Sequence, residues 1–262
     1  MPKLRTLQLD YARTMPLDAQ IPLRPGLHFA VLEEFGLEQG ELDSYTLLFE
    51  SLSGEHGIKR LDVGFEGCTT GCSVARFIRA VSNTVSRDTL SHFQLYTEDR
   101  CEQSAQPSHA IDNHMLFPLL EFRKMDYFLL MCCGHAWDNR ILEDMARAWP
   151  RLDTLGLQPH SGEAQDTQLT LGGLYPLAKH CPRLNYIDVA VAPFDGIADR
   201  LPKRDWEPVD LRRAEPMTVN IFSRKVDRAA IAYLQDMFPR LLVNHISVND
   251  VAVLQYMDED QD

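Results

Sequence analysis

The sequence predicts an α/β fold, a solenoid of leucine-rich-repeat type with a curved parallel sheet on one face and helices on the other. Three observations carry this expectation. A phrase ending in Pro-Arg-Leu recurs as Ala148-Trp149-Pro150-Arg151-Leu152, His180-Cys181-Pro182-Arg183-Leu184 and Met237-Phe238-Pro239-Arg240-Leu241, with the first two prolines 32 residues apart. Each phrase closes a segment whose apolar residues repeat at helical spacing. The first two are followed by the Leu-x-x-Leu-x-Leu alternation of a short buried strand.

The helical segments rest on Ile141, Leu142, Met145 and Trp149, then on Leu174, Leu177 and Ala178, then on Ile231, Leu234 and Phe238. Proline stops each one, because it has no amide hydrogen and its ring clashes with the preceding turn. The strands run through Leu152, Leu155 and Leu157 and through Leu184, Ile187 and Val189. Further copies begin at Leu4, Ile58, Leu90 and Met125, and Val219 with Ile221 and Ile246 with Val248 fit the same pattern. The copies starting at 58, 90, 125 and 152 are 32, 35 and 27 residues apart. Compact leucine-rich repeats take roughly 20–29 residues, so irregular repeats with full helices on the outer face are expected. The last copy departs from the rule: Leu242-Val243-Asn244-His245-Ile246 pushes its strand two residues late, which suits a bulge or a terminal cap. One helix and one strand cannot bury their apolar faces alone, so the units must stack into one core. The expected organisation is a solenoid over residues 1–256 and an acidic flexible tail over 257–262.

Composition narrows the function classes. The chain has 262 residues, is 45% hydrophobic and carries a formal charge of −12. Binding to a nucleic-acid backbone or an anionic membrane rests on clustered Lys and Arg, which this balance disfavours. The start Met1-Pro2-Lys3-Leu4-Arg5 has no secretory pattern, and no apolar run approaches the ~18 residues of a membrane span. The cysteines at 68, 72, 101, 132, 133 and 181 are too irregular for a disulfide scaffold and read as reduced thiols of a cytoplasmic or nuclear protein.

The segments Ile111 to Leu120, Leu142 to Leu152 and Leu169 to Leu184 resemble the C-terminal leucine-rich-repeat region of basidiomycete F-box proteins, and the resemblance covers most of the chain. In that family a small N-terminal helical F-box docks on the adaptor of a cullin-RING ubiquitin ligase while the repeats bind the protein to be ubiquitinated. The resemblance therefore implies a substrate-recognition part without catalysis. Pro2 to Leu9 already copies Pro150 to Leu157, so the chain is expected to start mid-repeat with the F-box missing, and the adaptor becomes a partner only where an F-box lies upstream. A stand-alone repeat scaffold and an enzyme with an unrecognised site are the alternatives.

Candidate chemistry is sparse. Cys68 and Cys72 with Cys132, Cys133 and His135 have the donor types of a zinc site but not the paired C-x-x-C spacing, and they read instead as loop residues (68 and 72) and strand-end residues (132 and 133). Glu55-His56-Gly57 lacks the second histidine of a metalloprotease helix, and there is no G-x-S-x-G nucleophile elbow. No cofactor or metal is expected. Trp149 stands in the apolar helix register and reads as core.

A partner protein would meet the strand residues that alternate with the core leucines. These are Arg60 and Asp62, His92, Gln94 and Tyr96, Tyr127, Gln158, and Tyr186 with Asp188, extended by Thr6, Gln8, Leu129, Thr154, Asn220, His245 and Ser247. Tyr96, Tyr127 and Tyr186 are the leading anchors, because tyrosine buries a large ring while its hydroxyl finds a hydrogen bond. The stretches Thr97 to His109 and Pro193 to Pro216 read as long loops, the second locally basic through Arg200, Lys203, Arg204, Arg212 and Arg213.

Overall fold

The structure is a computed structural model that describes residues 4–10, 31–67, 69–97, 110–132, 134–159, 167–192, 217–223, 228–239 and 241–248. Nine strands form one sheet: β1 (Thr6–Asp10), β2 (Glu34–Gly40), β3 (Arg60–Phe65), β4 (His92–Thr97), β5 (Tyr127–Cys132), β6 (Thr154–Pro159), β7 (Tyr186–Ala190), β8 (Met217–Phe222) and β9 (Leu241–Val248). They lie side by side in chain order and every neighbouring pair is parallel.

Parallel neighbours need a crossover, and the described crossovers are helical. α1 (Leu42–Ser51) leads to β3, α2 (Gly71–Thr84) to β4, α4 (Asn139–Ala148) to β6 and α6 (Arg228–Met237) to β9. Before β5 there is only the four-residue α3 (Asn113–Leu116) and a 3-10 turn, Phe117–Glu121. Before β7 a 3-10 turn, Leu171–Leu174, runs into the six-residue α5 (Tyr175–His180). The expectation of full helices throughout is thus corrected at two crossovers. Pro118 and Pro176 stand at their first turns, where the missing amide costs nothing.

One face of the sheet is packed and, among the described residues, the other is uncovered. Leu61, Val63, Phe93, Leu95, Phe128, Leu130, Leu155, Leu157, Ile187 and Val189 are fully buried at alternate positions. They share a single core with Phe49, Phe77, Ile78, Leu142 and Leu177 of the helices. Along β4 and β5 the intervening residues are half-buried, the period of two that a sheet with one covered face imposes.

The Pro-Arg-Leu phrase is a turn. The Leu152, Leu184 and Leu241 amides donate to the carbonyls of Trp149, Cys181 and Phe238 at 3.0, 3.1 and 2.9 Å. The residue before each proline and the leucine are buried, and the proline is exposed. Phe122-Arg123-Lys124-Met125 makes the same turn at 3.2 Å without proline. Trp149 is fully buried and packs against Phe128 with ring centroids 4.9 Å apart. Burial also pushes the Cys181 thiol up to about 12, so it sits there as an apolar filler.

Two ladders tie the units together. At the heads of β1 to β6 one backbone carbonyl accepts two successive amides of the next unit: Arg5 from Glu33 and Glu34, Glu33 from Lys59 and Arg60, Lys59 from Ser91 and His92. The pattern continues with Ser91 accepting from Asp126 and Tyr127, Asp126 from Asp153 and Thr154, and Asp153 from Asn185 and Tyr186, all at 2.7–3.1 Å. At the helix starts the contact is made by side chains. Asn113 Nδ2 donates to Asp138 Oδ1 at 2.7 Å, and Asp138 caps α4 by accepting from the Arg140 amide at 2.8 Å. One unit on, Asn139 Nδ2 donates to Thr170 Oγ1 at 3.1 Å while its Oδ1 accepts from the Thr170 amide at 2.9 Å.

Three readings change. β2 was not recognised, although Leu32-Glu33-Glu34-Phe35-Gly36-Leu37 carries the same alternation. Cys72 lies in the first turn of α2 rather than in a loop, while Cys68, Cys101 and Cys133 lie outside the described residues. β9 starts at Leu241 itself and its pairing with β8 shifts register between Met217 and Val219, so the extra residues are absorbed as an irregularity inside the strand. The basic loop residues Arg200, Lys203, Arg204, Arg212 and Arg213, and the tail 257–262, lie outside the described residues.

Asn139→Ala removes two hydrogen bonds between neighbouring units and is expected to cost about 1–2 kcal/mol in denaturant unfolding. A Cβ on Gly173 would lie 2.1 Å from Asn139 Oδ1, so Gly173→Ala is expected to evict the same amide. The double variant should then cost little more than either single one; additive losses would show that Gly173 acts elsewhere.

Candidate functional site

The open face is organised by register. One row runs Thr6, Glu34, Arg60, His92, Tyr127, Thr154, Tyr186, Thr218, and the next runs Gln8, Gly36, Asp62, Gln94, Leu129, Gly156, Asp188, Asn220. All nine principal candidate residues fall in these two rows or in the third, which contains Tyr96 and Gln158. Parallel strands in chain order put equivalent repeat positions side by side, so residues about 30 apart in sequence become neighbours.

The first cluster joins β3, β4 and β5. Arg60 Nε donates to Asp62 Oδ2 at 2.6 Å, and His92 Nε2 lies 3.0 Å from Asp62 Oδ1. The His92 ring stacks on Tyr127 with centroids 3.9 Å apart and planes 9° from parallel. Burial works to raise the Asp62 carboxyl, but the His92 contact and the Arg60 hydrogen bond, with the charges behind them, outweigh it and hold the group below its usual range. Burial and the nearby Asp62 charge push the Tyr127 hydroxyl up.

The second cluster joins β6, β7 and β8. Tyr186 Oη donates to Asp188 Oδ2 at 3.1 Å and accepts from Asn220 Nδ2 at 2.6 Å. Asp188 is only 5% exposed although it belongs to the open face. Burial raises its carboxyl above the ordinary value, against hydrogen bonding from Tyr186 and the approach of the Asn220 and Gln158 amides. Burial and the Asp188 charge push Tyr186 up to about 12, which keeps its hydroxyl a donor at physiological pH.

Gln94 lies half-buried within the span of the first cluster, between Asp62 and Leu129 in register. The Tyr96 ring lies across Gly64, where a Cβ would meet its Cζ and Oη at 2.7 Å. The face also has members the sequence did not point to. Glu34 and Glu38 come with the unrecognised β2, accepting from Thr6 Oγ1 at 3.1 Å and Gln8 Nε2 at 3.3 Å. Met131 continues the row of Tyr96 on β5. The period-two rule applied at Leu32 would have found the glutamates. For His245 and Ser247 the structure describes the backbone of β9 alone.

Among the described residues no group of three or more His, Cys, Asp and Glu is arranged to hold a metal ion, and no helix is long and apolar enough to cross a membrane. His135 is buried against Trp137 with ring centroids 3.9 Å apart, and burial lowers it to about 3, so it packs as a neutral ring. Fold and face together define an α/β protein with a single parallel sheet, helices packed on one side and a residue-rich open face on the other. No protein-family model matches the chain, and no curated protein matches it.

The half-buried Asp62 and the buried Asp188 titrate with opposite sign. Asp188, whose folded value is raised, penalises the fold fully above that value and not at all below the unfolded value of about 3.9. Asp188→Asn is therefore expected to raise the thermal midpoint at pH 7, with the gain vanishing as pH falls below that value. Asp62, whose folded value is lowered, contributes stability that is lost as pH falls through it, so Asp62→Asn should lower the midpoint at pH 7 and converge with the parent in acid. Thermal unfolding across pH 3–8 of both variants checks the pair.

Proposed function

We propose that the chain is a leucine-rich-repeat-type solenoid whose open sheet face binds another protein, as the substrate-recognition part of an F-box-type ubiquitin-ligase receptor, with no catalytic step of its own. One observation carries this reading: a parallel sheet whose outward rows are uncovered among the described residues. Parallel sheets are ordinarily covered on both faces. Here the uncovered side presents Tyr96, Tyr127, Leu129, Met131 and Tyr186, half-buried and surrounded by charged and amide side chains. Aromatic and methionine side chains at the centre with polar groups around them have the composition of protein interfaces.

The ligase connection rests on the resemblance of Ile111 to Leu120, Leu142 to Leu152 and Leu169 to Leu184 to the repeat region of F-box proteins. The partner is accordingly a protein, and the cullin-RING adaptor joins it only through an F-box upstream of these repeats. Nucleic acid and membrane are not assigned as partners, in keeping with the charge of −12. A cytoplasmic or nuclear location fits a ligase receptor.

The test is affinity capture from a fungal extract with mass spectrometry, comparing the chain with a Tyr96→Ala, Tyr127→Ala, Tyr186→Ala variant whose cooperative unfolding shows that it still folds. Proteins held by the parent and lost by the variant are expected. Equal capture by both moves the binding site off this face.

A further inference from the structure

The open face between β5 and β8 contains a slot. His92 and Tyr127 are neighbours in register and stack face to face. That stack sets the Tyr127 ring across the line from strand to strand, so its second face looks toward β6. The next residue of the row is Thr154, and the one after it is Tyr186. Thr154 is small, and its hydroxyl turns away to donate to Asp153 Oδ2 at 3.1 Å. Tyr186 holds its hydroxyl toward Asp188 and Asn220, on the far side from Thr154. The aromatic row His92, Tyr127, Tyr186 therefore lacks one member, at β6. Neighbouring strands are about 4.8 Å apart, so Tyr127 and Tyr186 flank a gap of on the order of 10 Å between backbones, the width of one inserted planar layer.

Thr154 forms the floor of the gap; in the next row is Gly156, with the Leu129 side chain folded against it, where a Cβ would lie 2.2 Å from Leu129 Cδ1. At the side of the gap stands Asp188, whose buried Oδ1 accepts no hydrogen bond among the described residues, the Gln158 and Asn220 amides only approaching the carboxylate. A buried acceptor left unpaired costs free energy that an arriving donor recovers. Among the described residues within β5 to β8 that face outward, Asp188 is the single carboxylate and no Lys, Arg or His stands among them; the Asp153 carboxylate, just before β6, accepts from Thr154 Oγ1 and Asn185 Nδ2. A group that is planar, cationic and rich in donors satisfies the flanking rings and the orphan oxygen together. Guanidinium has all three properties and sheds water readily, whereas ammonium is compact and strongly hydrated.

We propose that this slot takes an arginine side chain of the partner protein, its guanidinium layered between Tyr127 and Tyr186 above Thr154 and donating to Asp188. The proposal rests on the protein-binding reading of the face and adds the residue that is read there. Oδ1 is closed to solvent, so entry of the guanidinium requires the Gln158 amide, which approaches the carboxylate, to give way. The net charge of −12 favours a basic partner segment on approach.

The probe is a five-residue peptide with arginine at its centre, compared with otherwise identical lysine and citrulline peptides and titrated into the intact chain while the tyrosine ring resonances are followed by NMR. The arginine peptide is expected to shift the Tyr127 and Tyr186 signals and to bind roughly tenfold more tightly than the other two. Thr154→Tyr, which fills the slot, should abolish that preference, and Asp188→Asn should reduce it. Thr6→Tyr, in the same row at β1, should leave it intact. Equal affinities for the three peptides, no arginine binding at millimolar concentration, or a preference that survives Thr154→Tyr overturns the slot. If the slot fails while the triple tyrosine variant still loses captured proteins, the face reading stands without it. If the arginine preference holds while capture is unchanged, the slot stands and the partner reading falls.

Discussion

The constraint on which everything else rests is the shared carbonyl at the heads of β1 to β6. From Arg5 to Asp153, six successive backbone oxygens each accept two amides from the following unit. This contact uses no side chain, so it tolerates heads as different as Glu33, Ser91 and Asp153. It also fixes the register, because a slip by one residue would turn every core leucine to the open face and every candidate binding residue into the core. The side-chain ladder from Asn113 through Asp138 and Asn139 to Thr170 repeats the same logic at the helix starts, with Gly173 kept bare so that the Asn139 amide fits.

Register then builds the face. Because position for position the strands align, Asp62 gathers Arg60 from its own strand and His92 from the next, and His92 in turn stacks on Tyr127. Four strands away from β3, Asp188 has Tyr186, Asn220 and Gln158 around it and, among the described residues, no cation. The same residue type thus lies below its usual range at one end of the row and above it at the other, through neighbours supplied by different units. The face is polar in composition yet unevenly satisfied, and that unevenness distinguishes one part of it from another.

Much of this was legible in the chain. Leu-x-x-Leu-x-Leu alternation located strands at Leu4, Ile58, Leu90, Met125, Leu152 and Leu184, since a strand with one covered face must alternate. Trp149 and Cys132 were readable as core for the same reason of periodicity. The turn at Phe122 to Met125 was hidden because it achieves with Arg-Lys what its relatives achieve with Pro-Arg. The four-residue α3 is too short to display a helical period, and the helix legible at Leu174, Leu177 and Ala178 extends over only six residues as α5. β2 was lost between stronger copies, and with it went Glu34 and Glu38.

By itself the sequence determined the α/β class, the order of units and which side of each strand would face out, because these follow from local periodicity and from proline's inability to continue a helix. Only the tertiary structure decided that Asp62 stands beside Arg60 and His92 while Asp188 stands among Tyr186, Asn220 and Gln158, that Leu129 covers Gly156, and that Tyr127 and Tyr186 flank the small Thr154. Those facts join residues about 30 apart in the chain, and the spacing between units varies. No local rule sets which of them meet; the backbone pairing does.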